Sequence, residues 1–157
     1  MSAAKLVISL DFEMYWGLRS GKLSQSKISC LEQVPYIVEQ LLAMFEKYNI
    51  ATTWATVGLL GCDNLEEARA LIPRNIPEYT DQNLCPYSDL QSLAIELLPP
   101  SILFAPHLIS RIKSTPMQEV ASHTFSHFYC LADGATQESF REDALQMGYI
   151  GNKFGLD

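Results

Sequence analysis

The sequence predicts an α/β fold in which parallel strands alternate with helices. Residues 6–10 form a mostly apolar run that predicts a fully buried strand, residues 51–57 are rich in β-branched and aromatic types, and residues 118–122 lead into a loop with two histidines. Segments with helical periodicity lie between these strands, and such alternation implies right-handed crossovers in a parallel sheet. Three parallel strands leave the edges of a sheet open. Either the protein associates to cover those edges, or the chain is part of a larger domain.

The helix after the first strand is the most clearly marked element. Pro35 is tolerated only in the first turn of a helix, so the regular helix is predicted to begin close to it. Asn49 is predicted to end the helix. Its apolar stripe comprises Val34, Val38, Leu41, Leu42, Phe45 and Tyr48, and Leu31 extends it one turn upstream.

The middle of the chain predicts shorter helices around an irregular stretch. Residues 64–72, 89–98 and 106–114 are predicted to be helical, each bounded by prolines or capping residues. Residues 73–86 are the least regular part and are predicted to be a surface insertion, which either covers a site or has no role in one.

A last helix is predicted after the turn at residues 133–134. Thr136 is its predicted N-cap and Gly155 its predicted stop. The predicted apolar stripe of this helix is Phe140, Ala144, Met147 and Phe154.

Length and composition restrict the class of protein. The 157 residues suggest a single domain, and the formal net charge of −7 argues against a nucleic-acid partner, since phosphates favour basic surfaces. No basic segment followed by a long apolar stretch opens the chain, and no apolar run approaches the length of a membrane span. The four cysteines have no Cys-x-x-Cys spacing, so we expect reduced thiols, a cytoplasmic protein and no membrane partner.

Two histidines, His123 and His127, lie four residues apart just after the third strand. On one side of a helical turn they would suit a divalent transition metal, which also needs a carboxylate. Asp11 and Glu13 follow the first strand and, with a strand period of two, point the same way. The alternatives are surface or hydrogen-bonded histidines and a solvated acidic pair. His107, after a proline, is predicted to be a surface or capping residue.

Two aromatic residues follow the candidate carboxylates. Tyr15 and Trp16 lie in the segment Met-Tyr-Trp-Gly-Leu-Arg-Ser-Gly-Lys, which its glycines Gly17 and Gly21 predict to be a loop. Their rings either form a wall for a sugar substrate or cap the core, because aromatic faces serve both purposes.

Three motifs together resemble the polysaccharide deacetylases, the carbohydrate-esterase family with the NodB-type domain. They are Ser-Leu-Asp-Phe-Glu at residues 9–13, Ala-Thr-Thr-Trp-Ala-Thr-Val-Gly at 51–58 and Ser-His-Thr-Phe-Ser-His at 122–127. The last matches the family's His-[Ser/Thr]-x-x-His metal motif. The resemblance implies a distorted (β/α)7 barrel and metal-dependent removal of acetyl groups from an N-acetylated saccharide.

The resemblance also implies roles for individual residues. Asp11 matches the family's general base, and His123 and His127 match its metal-binding histidines. Phe12 occupies the position of the family's metal-binding aspartate, and Glu13 is the nearest carboxylate that could replace it. The implied cofactor is one divalent ion, with zinc as first choice and cobalt or nickel as alternatives.

The later histidine, arginine and tryptophan motifs of the family have no counterpart here, so the resemblance covers the N-terminal half of the family domain. We therefore expect the chain to be the N-terminal portion of a deacetylase domain, with its activity in this form in doubt. Two other functions stay open. One is a 3′–5′ exonuclease, whose first motif is also Asp-x-Glu after a strand but which needs two magnesium ions and a basic channel. The other is a non-enzymatic module that binds a metal or a saccharide.

Overall fold

The computed structural model describes residues 5–19, 21 and 23–156. Within these residues the strands are β1 (Ser9–Phe12), β2 (Thr52–Thr56) and β3 (Gln118–Ser122). The α-helices are α1 (Tyr15–Leu18), α2 (Gln25–Glu32), α3 (Val34–Tyr48), α4 (Leu65–Ala70), α5 (Pro86–Gln91), α6 (Pro100–Leu103), α7 (Pro106–Ser114) and α8 (Gln137–Phe154). Short 3-10 helices span Gly58–Gly61, Gln82–Leu84 and Leu93–Leu97. Of the helices in this part of the chain, none combines the length and the apolar character needed to cross a bilayer.

The three strands form one parallel sheet in the order β1–β2–β3. Leu10 pairs with Trp54, and Trp54 pairs with Val120 on its other side, so β2 is the central strand. The prediction of an α/β fold with three parallel strands is therefore confirmed. Because all three strands run the same way, the residues that follow β1 and β3 emerge at the same edge of the sheet.

The two faces of the sheet differ in how they are covered. On one face the Trp54 ring lies edge-on to Phe12 and to Phe45 of α3, with centroid distances of 6.2 and 6.3 Å. The helix α3 thus buries this face in the core. The opposite face carries Ser9, Asp11, Thr53, Ala55, Glu119 and Ala121, which are exposed or only partly buried.

The first strand does not lie where the apolar run predicted it. Its pairing begins at Ser9, opposite Thr53, and Leu6 and Val7 are 87% and 81% exposed. The prediction of a buried strand over residues 6–10 is wrong, because apolar composition does not tell which residues the neighbouring strand and helix cover. As a result, Asp11 lies inside β1 rather than after it.

The segment between β1 and α3 is more helical than predicted. Residues 15–18 form the single turn α1 instead of a loop. Helix α2 precedes α3, and the Ser24 hydroxyl caps it by accepting the Lys27 N–H at 3.3 Å. The sequence held this signal, since serine is a preferred N-cap residue.

Helix α8 begins and ends as predicted but turns a different face to the core. Thr136 and Ser139 form a reciprocal capping box, and Gly155 ends the helix with a φ of 60°. The predicted stripe is wrong at Phe140, which is 42% exposed, and at Ala144. The buried row is Ser139, Asp143, Met147 and Ile150. Two polar members hide this row from a search for apolar periodicity.

The irregular segment 73–86 contacts the loop that follows the two histidines. Tyr79 is 1% exposed, and its hydroxyl accepts the N–H of Tyr129 at 3.0 Å. The Thr80 N–H donates to the carbonyl of Asp133 at 3.0 Å. At these points the segment lies against residues 129–133 rather than free on the surface.

Candidate metal centre

Three side chains with metal-ligating atoms meet at the carboxyl edge of the sheet. Ligand atoms of Glu13, His123 and His127 all lie within 4.8 Å of one another. Glu13 Oε2 is 2.9 Å from His127 Nε2 and 3.6 Å from His123 Nε2. Ligands bound at about 2.0–2.1 Å around a tetrahedral ion lie about 3.3 Å apart. The two separations from Glu13 bracket this value, so the distance from its carboxylate to each imidazole fits a shared ion.

The backbone after β1 aims Glu13 at the histidines. Met14 adopts φ 46° and ψ −125°, a conformation that non-glycine residues rarely populate, and it turns the chain sharply after Glu13. The Glu13 side chain then lies over Gly17. A Cβ atom at Gly17 would stand 2.0 Å from the Glu13 carboxyl carbon, so the glycine provides the space that the carboxylate occupies.

The histidine loop, defined as residues 123–130, is attached to the end of β2. The His123 N–H donates to the Thr56 carbonyl at 2.9 Å and extends the pairing of β2 with β3 by one residue. The amides of residues 58 and 59 donate to the carbonyls of Thr124 and Phe125, each at 2.9 Å. These bonds fix where His123 leaves the sheet.

The histidine loop is not the helical turn that the sequence predicted. Thr124 and His127 have left-handed φ values of 63° and 58°. Left-handed residues other than glycine cost about 1–2 kcal/mol each, and such strain tends to collect at functional sites. Of the five non-glycine residues with positive φ in the described ranges, three are Met14, Thr124 and His127. The strain is thus concentrated around the cluster.

Solvent reaches all three side chains of the cluster. Their exposed fractions are 26% for Glu13, 33% for His123 and 19% for His127. The His127 ring packs edge-on to Tyr129 at 4.9 Å, whereas its Nδ1 is buried and has no hydrogen-bond partner among the described residues. On the Nδ1 side the ring is therefore held by packing, and Glu13 is its polar contact at Nε2. Without an ion, Glu13 and a protonated histidine would form an ordinary ion pair.

The argument for a metal centre rests on the geometry of this chain. In comparisons with known proteins, no family model, curated protein or solved structure matches it. The resemblance to polysaccharide deacetylases stays a prediction from three motifs.

Asp11 lies apart from the three convergent side chains. It occupies β1 opposite Ala55, is exposed, and contributes no atom to the group within 4.8 Å. The alanines at positions 55 and 121 leave space above this part of the sheet. Asp11 is therefore accessible to water and to a ligand on the uncovered face.

The two aromatic residues predicted as a sugar wall lie in the core. Trp16 is 0% exposed, and its indole N–H donates to the Leu103 carbonyl at 2.8 Å. Tyr15 is 8% exposed, its hydroxyl donates to Asp89 at 3.2 Å, and burial raises its pKa. Neither ring presents a free face to a ligand, so burial favours the core-capping alternative. Aromatic residues next to a candidate site can line it or cap the core, and their sequence position is the same in both arrangements.

His107 is exposed in the first turn of α7. It is not among the residues that converge on Glu13. This exposed histidine provides a matched control for experiments on His123 and His127.

Proposed function

We propose that the protein is a metal-dependent hydrolase that removes acetyl groups from an N-acetylated saccharide. The observation that carries the proposal is the convergence of Glu13, His123 and His127 within 4.8 Å at the carboxyl edge of a parallel sheet. Sites in α/β proteins form at this edge. Two imidazoles and one carboxylate are a ligand set used by hydrolytic zinc enzymes, in which a further position stays open for water or substrate.

The chain's own residues would divide the work as follows. Glu13, His123 and His127 would hold the ion, which supplies Lewis acidity that polarises a carbonyl and acidifies water. Asp11 would accept the proton of the attacking water, as the resemblance implies, and its exposure makes it accessible for that role. Because the three ligands are partly exposed, a substrate could approach the ion from the solvent side.

The finer fold belongs to the same proposal. In a NodB-type barrel, β1, β2 and β3 would be three adjacent strands, and their uncovered face would line the interior. Small side chains at Ala55 and Ala121, together with the exposed carboxylate of Asp11, support this arrangement. Further strands would then cover the open edges of the sheet.

Metal binding is the first test. The apo protein is titrated with Co²⁺ and Zn²⁺ by calorimetry, and the visible spectrum of the Co²⁺ form reports the geometry of its ligands. We expect one ion per chain, and a loss of affinity of more than about 100-fold in His123→Ala and in Glu13→Gln, because each removes a direct ligand. The control His107→Ala should bind as the unchanged protein does. Equal binding by all four proteins would contradict the proposed centre.

Acetyl transfer to water is the second test. The metal-loaded protein is incubated with chitooligosaccharides and with an acetyl ester, and released acetate is measured. Acetate release that disappears in Asp11→Asn, while metal affinity is kept, would support the proposed base. If the protein binds one ion, but neither it nor a version extended through the rest of the family domain releases acetate from either substrate, the metal centre stands and the deacetylase proposal is wrong.

A further inference from the structure

A buried carboxylate on helix α8 contacts the histidine loop. Asp143 belongs to the buried row of α8 and is 1% exposed. No step of the proposed hydrolysis uses it. A carboxylate buried this deeply is costly unless its oxygens are well bonded, so its contacts are informative.

In each of its hydrogen bonds the Asp143 carboxylate is the acceptor. The N–H of Phe125 donates to Oδ1 at 2.7 Å, and the N–H of Ser126 donates to Oδ2 at 3.0 Å. The Ser126 hydroxyl makes a further short bond to Oδ2, and the Tyr87 hydroxyl lies 3.5 Å from the same oxygen. One carboxylate thus gathers two consecutive backbone amides and two hydroxyls.

These two amides belong to the residues between the histidines. Thr124 and His127, on either side of them, are the two left-handed residues of the loop. A loop with two strained residues keeps its shape only if surrounding contacts hold it there. Burial raises the pKa of Asp143, and its four donors oppose that effect by favouring the charged form.

We infer that Asp143 is a positioning residue: by fixing the amides of Phe125 and Ser126, it sets the separation and orientation of His123 and His127 for metal binding. This inference rests on the proposed metal centre. Asp143 does not touch the ion, and its influence passes through the backbone of the loop. A residue that only stabilised the fold would change the melting temperature without changing the geometry of a bound metal.

The variant Asp143→Asn separates these two roles. Its amide oxygen can still accept from Phe125, but its NH₂ group meets the Ser126 N–H, a donor that cannot rotate away. The control is Glu142→Gln, which removes the same charge one residue away on the same helix. Each protein is checked for folding by circular dichroism and then titrated with Co²⁺, and the visible spectrum of the Co²⁺ complex is recorded.

We expect Asp143→Asn to bind Co²⁺ about 10-fold or more weakly and to shift the visible spectrum, as losses of supporting contacts around metal sites generally do. Glu142→Gln should match the unchanged protein in both. Should Asp143→Asn fail to fold, Ser126→Ala decides the question, because it removes one of the four donors and keeps both amide bonds. We expect Ser126→Ala to weaken Co²⁺ binding several-fold.

Two failures are distinguishable. If the unchanged protein does not bind Co²⁺, the proposed metal centre is wrong and the inference falls with it. If the unchanged protein binds Co²⁺ but a folded Asp143→Asn, or Ser126→Ala in its place, binds with the same affinity and spectrum, the metal centre stands and Asp143 is not a positioning residue.

Discussion

Two carboxylates contact the histidine loop, and they differ in burial and in the groups that they face. Glu13 is partly exposed and faces two imidazole nitrogens, each of which can bind either a proton or a metal ion. Asp143 is buried and faces amide and hydroxyl donors, which hydrogen-bond to it and do not bind a metal ion in its place. One carboxylate is thus accessible to a ligand, whereas the other serves to hold the fold.

This difference explains how a strained loop can present two histidines. The bonds from Asp143 and from the turn after β2 hold the backbone of residues 124–126, so the imidazoles need not hold themselves in place. A change in the contacts of Glu13 should therefore have little effect on the stability of the fold. The comparison predicts that stability in the absence of metal depends much more on Asp143 than on Glu13.

The largest expected effect is on unfolding in the absence of metal. In urea with a chelator present, Asp143→Asn should lower the free energy of unfolding by about 2–3 kcal/mol, because a buried amide N–H is left facing another donor. Glu13→Gln should change it by less than about 1 kcal/mol, since partly exposed ion pairs contribute little. Equal losses in the two variants would contradict the division of roles.

A second prediction concerns a substitution that displaces the Glu13 carboxylate without replacing any of the three ligands. In Gly17→Ala the added methyl group occupies the space of the Glu13 carboxylate, 2.0 Å from its carbon. The long side chain can rotate away, so we expect a small change in stability but a loss of Co²⁺ affinity of about 10- to 100-fold, similar to other disturbed metal sites. Calorimetric titration measures the affinity.

The control for this change is Gly148→Ala. A Cβ atom at Gly148, in the middle of α8, meets nothing within 4 Å. Alanine is the better helix former by about 1 kcal/mol, so this variant should be more stable and bind Co²⁺ unchanged. Unchanged affinity in Gly17→Ala would show that the position of the Glu13 carboxylate does not matter for binding.

Sequence patterns located the Glu13 side of this comparison better than the Asp143 side. The strand period pointed to Asp11 and Glu13 alike, and only the resemblance to the deacetylases gave Glu13 the metal role. The four-residue spacing pointed to His123 and His127, because ligand type and spacing are local properties. Asp143 was missed because its partners are backbone amides, which every residue carries. A hydrophobic-period search also passes over an acid in the buried row of a helix.

The fold shows the same limit. Helix α3 and the ends of α8 were predicted from periodicity and capping residues, which depend only on residues close in sequence. The bounds of β1 and the burial of Trp16 depend on what packs against them from elsewhere in the chain. The left-handed conformation of His127 likewise follows from tertiary contacts, since nothing in a histidine's own preference requires it.

The smallest expected effect is on the pH dependence of stability, and it concerns the Asp143 side alone. Because burial raises the pKa of Asp143 above its ordinary value of 3.8, the folded protein keeps this proton at pH values where the unfolded chain has released it. Stability must then fall as pH rises through the window between the two pKa values. Neighbouring Tyr79 and Tyr87 stay neutral there, since burial raises the pKa of Tyr79 to about 12 and that of Tyr87 further.

The check is urea unfolding of the unchanged protein and of Asp143→Asn between about pH 4 and pH 7, with the difference plotted against pH so that the other titrating groups cancel. The unchanged protein should gain stability over the variant as the pH is lowered. Parallel curves would mean that the four donors offset the cost of burial completely. In that case Asp143 would be an ordinary carboxylate by pKa, and its hold on the loop would come from hydrogen-bond geometry alone.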